Sequence, residues 1–232
     1  MSGRTVFMYF TIQSNIALAL VSLIGGILIV RNKAPGNAWF VIRLVAAVSI
    51  TLTGVVFCLI LAPILKRDAW SVANILTHVV VPLAAVIDYY ATCVYGNIRK
   101  RHVFYVLIPP LLYAVYAGIG YVNNWSFARG LNYPYFFLNW GSPAGAFGFT
   151  KDLPYLGCVW WILILFILLV LAGLFYIVTL NKIKAKRPKN VAMKNPCRSR
   201  DSHRVGYYES MSIGYIKCLA DFFMSLSSIC HF

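Results

Sequence analysis

The sequence predicts an all-α fold, a polytopic transmembrane helix bundle with five spans. Three observations carry that expectation. Apolar side chains make up 60% of the 232 residues and charged ones only 12%, against about 45–50% and about 25% in soluble domains. The apolar residues fall in runs of about 20 or more, the length that crosses a hydrocarbon core. Trp39, Trp70, Trp125, Trp140, Trp160 and Trp161 mostly mark the ends of those runs, as interfacial anchors do. A mean hydropathy of +0.74 excludes a disordered chain and a nucleic-acid module, so no nucleic-acid partner is expected despite the net charge of +15.

The spans lie near 8–30, 39–62, 71–95, 103–122 and 153–180, giving a bundle over 1–180 and a basic tail over 181–232. Helices rather than open strands follow from the need to satisfy every backbone N–H and C=O within each segment. Arg31 and Lys33 follow span one, Arg99-Lys100-Arg101 follow span three, and nine basic residues lie between 182 and 204. The other side holds Arg4, Lys66, Arg67, Arg129 and Lys151. That bias places the tail in the cytoplasm and the N-terminus outside. Only seven residues precede span one, with no cleavable signal pattern. An upstream helix would complete an even-numbered bundle with both ends inside.

The tail holds ten of the 21 basic residues and three of the six acids, hence +7 of the charge. Ile216, Leu219, Ala220, Phe223 and Leu226 recur at helical spacing, so an interfacial amphipathic helix and a disordered extension both fit it. Cys58, Cys93 and Cys158 sit in apolar runs, and Cys197, Cys218 and Cys230 are scattered in the tail. No disulfide framework follows, and Cys197 is a candidate lipidation site.

Polar groups inside spans cost about 2.5–3.5 kcal/mol each when ionisable, so each needs a reason. Thr11, Ser14 and Asn15 share one face of span one at spacings i, i+3 and i+4; Asn74 and His78 form an i, i+4 pair in span three. The topology places both sets in the outer half, where they can meet. Pro82 deprives the His78 carbonyl of its helical partner and predicts a break at the histidine. The 123–153 connection is aromatic and turn-rich, running Leu131-Asn132-Tyr133-Pro134-Tyr135-Phe136-Phe137-Leu138-Asn139-Trp140. It is expected to lie over that same half.

Thr11 with His78 satisfies in kind what a hydroxyl nucleophile needs, a neighbouring base. Asn15 and Asn74 offer amides for a carbonyl or oxyanion. The alternative is interhelical hydrogen-bond glue. Arg43 and Asp88 in the inner half are expected to pair and lock spans two and three, or to relay protons. One histidine without nearby His or Cys implies no metal, and no cofactor is expected.

Tyr9-Phe10-Thr11-Ile12-Gln13-Ser14-Asn15 resembles the opening of a core helix in a bacterial family of six-helix membrane proteins of unassigned function. Asn74 to Pro82 with Asp88 resembles that family's histidine helix, and Asn132-Tyr133-Pro134-Tyr135-Phe136 with Asn139 its tyrosine-proline loop. The resemblance covers about residues 5–180. The family is in turn distantly similar to the androgen-induced membrane proteins, threonine hydrolases of fatty acid esters of hydroxy fatty acids. The resemblance implies Thr11 as nucleophile, His78 as base, and Tyr133 and Asn139 beside Asn15 and Asn74 in substrate binding. It implies membrane lipids and a lipid ester as partners. A proton-coupled carrier using His78, Asp88 and Arg43, or a non-enzymatic structural membrane protein, is the competing class.

Overall fold

The computed structural model describes residues 5–186 except positions 32, 34, 94–95 and 128–129. The expectations for Cys197, Cys218, Cys230 and the 216–226 helix lie outside the described residues. Five helices are long and apolar enough to cross a membrane: α1 Phe10–Val30, α2 Asn37–Leu65, α3 Val72–Thr92, α4 Lys100–Val122 and α5 Cys158–Lys186. The described residues contain no strand, only an isolated bridge between Phe149 and Leu156. The fold is an all-α polytopic bundle. Consecutive helices run antiparallel, so one end carries the 123–157 connection and the other carries Arg31, Lys33, Arg99–Arg101 and the end of α5. These are called the loop end and the basic end.

Helix α2 is the hub, packing against α1, α3, α5 and the start of α4. Half of its most apolar window is buried, against 11–28% in the other helices. That contrast separates a protein-facing helix from four that turn much of their apolar surface outward, through side chains such as Leu23, Ile87, Leu112, Ile167 and Phe175. At the basic end Leu44, Val48, Tyr89, Val106, Ile177 and Leu180 form the core. At the loop end Val56, Tyr113 and Ala117 pack with Phe137 and Leu138 of the connection.

Two of the departures from the expected spans have local causes. Helix α4 begins three residues early, as a 3-10 turn from Lys100 to Leu107; Pro109 and Pro110 then fall in the first turn of its α-helical part, where a missing N–H costs nothing. Helix α5 begins at Cys158 rather than 153, because the preceding residues fold back. The Cys158 and Val159 N–H groups donate to the Gly145 and Ala146 carbonyls (3.1 Å each), so the connection itself satisfies the first donors of α5. Its far end runs on to Lys186.

The break at His78 takes the form of a π turn, Leu76–Val80, closed by the Val81 N–H reaching back to the Leu76 carbonyl. Pro82 supplies the cause, since it has no N–H for the carbonyl four residues earlier. A second π turn, Phe57–Leu61, lies ahead of Pro63 in α2. The two helices meet at these irregular turns, where the Phe57 ring stacks on the His78 imidazole with centroids 3.9 Å apart.

Candidate functional site

Thr11 is the second residue of α1 and so lies at the positive end of its helix dipole. Its Oγ1 is 3.4 Å from His78 Nε2. That is long for a hydrogen bond, and proton transfer across it requires the pair to close by a few tenths of an ångström. The tautomer follows from the opposite face of the ring. Nδ1 is 3.0 Å from the Asn74 carbonyl and 3.0 Å from Thr77 Oγ1, whose own proton goes to the Ala73 carbonyl at 2.8 Å. Both neighbours therefore act as acceptors, which puts the proton on Nδ1 and leaves the Nε2 lone pair facing Thr11.

The π turn sets this arrangement within a close helix crossing. A Cβ on Gly54 would lie 2.7 Å from the His78 carbonyl oxygen and 3.3 Å from Pro82. Only glycine lets α2 approach the broken turn this closely. Gly54→Ala is expected to lower stability by about 1–3 kcal/mol, read as thermal midpoint in detergent, and to lower any Thr11-dependent activity with it. An unchanged midpoint would show that the helices have slack at this crossing.

Around Thr11 the other predicted residues take distinct places. Asn15 Nδ2 donates to the Thr11 carbonyl at 2.7 Å, as does Ser14 Oγ at 3.0 Å, and Ser14 Oγ is also 3.0 Å from Thr53 Oγ1 on α2. The Asn15 amide is thus engaged with the backbone of the threonine it was expected to assist. Asn74 contributes its carbonyl to His78. Tyr133 and Asn139 do not line the Thr11 cavity. Asn139 Oδ1 accepts from the Gly141 N–H (3.1 Å) and its carbonyl from the Ser142 N–H (3.1 Å), a turn that shapes the connection. Arg43 and Asp88 form a buried ion pair between α2 and α3, toward the basic end and apart from Thr11. Among the described residues no cluster of His, Cys, Asp and Glu is suited to a metal.

The tyrosine that reaches the site is Tyr135. It lines the same cavity as Thr11, beside the first turn of α1, whose N-cap Tyr9 supplies no side-chain cap. Burial pushes the Tyr135 hydroxyl above its ordinary range, so it is a protonated donor at neutral pH. The ring is fixed by parallel stacking on Phe137, centroids 5.0 Å apart. Two tyrosines flanking one proline are equivalent in sequence; the path of the connection selects the second.

Thr11, Thr53 and Tyr135 open onto a cavity of about 70 Å³ walled by Phe10, Leu52, Val56, Tyr113, Leu138 and Ile162. It has room for a few heavy atoms and little water. No family model, curated protein or solved structure matches this chain.

Proposed function

We propose that the protein is a membrane-embedded hydrolase of lipid esters, with Thr11 as nucleophile and His78 as base. The observation that carries this reading is the approach of His78 Nε2 to the Thr11 hydroxyl (3.4 Å) while Nδ1 is held against the Asn74 carbonyl, with Thr11 lining an apolar cavity. The resemblance of the Phe-Thr, histidine-helix and tyrosine-proline motifs to a bacterial six-helix family, itself distantly similar to threonine hydrolases, supports it. The basic residues at one end of the bundle support a cytoplasmic tail and an external N-terminus, with the Thr11 site in the outer half.

In this mechanism Nε2 takes the hydroxyl proton as Thr11 Oγ1 bonds to the ester carbonyl carbon. The carbonyl electrons move to oxygen, and the Tyr135 hydroxyl together with the N-terminus of α1 stabilises the negative charge. Collapse breaks the ester C–O bond, and His78 returns the proton to the departing alkoxide. An acyl-threonine remains. Water, deprotonated by the same Nε2, then releases the carboxylic acid and restores Thr11. The carbonyl of Asn74 holds the imidazolium throughout.

A fluorophosphonate probe tests the assignment directly. Labelling of the wild type at Thr11, lost in His78→Ala and kept in Asp88→Asn, is the expected result. Labelling unaffected by His78, or absent in folded wild type, would refute it. Tyr135→Phe is expected to lower kcat for a medium-chain acyl ester about 10²-fold, the cost of one oxyanion donor, with KM little changed. An equal kcat would leave Tyr135 as a wall of the cavity alone.

A proton-coupled carrier is the second reading, favoured by the buried Arg43–Asp88 pair beside the Tyr89 hydroxyl, which has no hydrogen-bond partner among the described residues. Proton-driven uptake abolished by Asp88→Asn in a folded variant would select it.

A further inference from the structure

Helices α1 and α4 scarcely touch. Between them, floored by α2, runs a groove of about 950 Å³, within the range of sites that hold a small molecule. Its middle is apolar, lined by side chains such as Ala17, Val21, Val45, Ala46 and Leu112. Toward the loop end it meets Phe10 and Tyr113, which also wall the Thr11 cavity; their rings pack edge to face 5.3 Å apart and divide the two spaces. Ser49 lines the groove, is 5% exposed, and its hydroxyl has no hydrogen-bond partner among the described residues. A buried hydroxyl without a partner costs about 1–3 kcal/mol.

The other end of the groove is different in kind. Asn37 and His102 line it, and the charges of Arg101 and Arg99 bear on His102. Arg99, Lys100 and Arg101 are exposed there, with Arg31 and Lys33 at the end of α1 on the same side. Among the described residues no exposed carboxylate lies at this end, since Asp88 is buried against Arg43. The groove thus runs from an apolar middle to an end beside a cluster of exposed basic residues.

We infer that this groove binds one anionic phospholipid of the bilayer, an acyl chain lying along the α1–α4 cleft and the phosphate held at the His102–Arg101–Asn37 end. Charge selects the ligand: a basic residue near the surface favours an anionic headgroup, whereas a choline headgroup brings its own cation to the basic cluster. The inference is independent of the chemistry at Thr11, and Thr11→Ala is expected to retain the lipid fully.

Native mass spectrometry of the purified full chain, exchanged into detergent with equal phosphatidylglycerol and phosphatidylcholine, tests it. The expected result is one phosphatidylglycerol retained in preference. Arg101→Gln, at an exposed position that leaves the fold intact, is expected to reduce that preference about fivefold. Ala46→Trp fills the groove and is expected to remove the bound lipid. Equal retention of both lipids, no retention, or an Arg101→Gln variant with undiminished preference would overturn the inference. So would a dimer that Ala46→Trp dissolves, which would assign the groove to a second copy of the chain.

Discussion

Thr11→Ala is expected to lower turnover of a fluorogenic medium-chain acyl ester by at least about 10³-fold, while the detergent-solubilised protein keeps its thermal midpoint and size. The two halves of this expectation have separate origins. The hydroxyl's interhelical contact with His78 is long, 3.4 Å, and such bonds average about 0.6 kcal/mol inside membranes, so its loss costs little stability. The same hydroxyl is the only atom that attacks the ester in the proposed mechanism, so its loss costs nearly all the rate. His78→Ala is expected to fall as far, and the double variant no further, because the two act as one unit. Thr11→Ser, which keeps the oxygen, is expected to recover part of the rate. Turnover surviving in Thr11→Ala, or folded protein and activity lost in parallel, would end the nucleophile assignment.

The largest effect on stability is expected at the ion pair. Arg43 and Asp88 are 4% and 8% exposed and join α2 to α3. Asp88→Leu removes the carboxylate that balances a buried guanidinium in the hub of the bundle and is expected to cost about 3–5 kcal/mol. Arg43→Met strands the carboxylate and is expected to cost about as much. Removing both together leaves two apolar side chains where two charges were desolvated, and most of the loss is expected to return. Thermal midpoints of the four proteins form a double-mutant cycle. Single variants as stable as the wild type would show that water or lipid headgroups reach the pair. A double variant as unstable as the worse single would show that the pair's shape, not its charge balance, holds the helices.

The spans were legible because a bilayer imposes length and apolarity together, and the meeting of Thr11 and His78 followed from depth alone: both lie within about two turns of the same end of their helices. Helix ends were less legible. Nothing in the run before Cys158 announces that Gly145 and Ala146 will cap α5, since that contact is made by a turn folding back through space. Pro82 announced a broken carbonyl but not the π turn, which depends on Gly54 and Phe57 of another helix receiving it. The Asn15 amide has a local partner that its spacing permits, the Thr11 carbonyl four residues back. Tyr135 differs from Tyr133 only by the course of the connection. The α1–α4 groove had no sequence signal at all, being a gap between helices whose apolar faces read like any others.

The connection from 123 to 157 has one more consequence. Its Gly145 and Ala146 carbonyls serve the first donors of α5, its Phe137 and Leu138 are core, and Trp160 and Trp161 are tied to it through their indole N–H groups. Swinging it aside would uncap a spanning helix and expose core side chains at once, so it behaves as a fixed roof. In the proposed hydrolase a substrate ester then reaches Thr11 from within the membrane plane. Its effective concentration is a mole fraction of the surrounding lipid, and occupancy of the site responds to surface dilution by inert lipid or detergent rather than to the volume of water around the membrane.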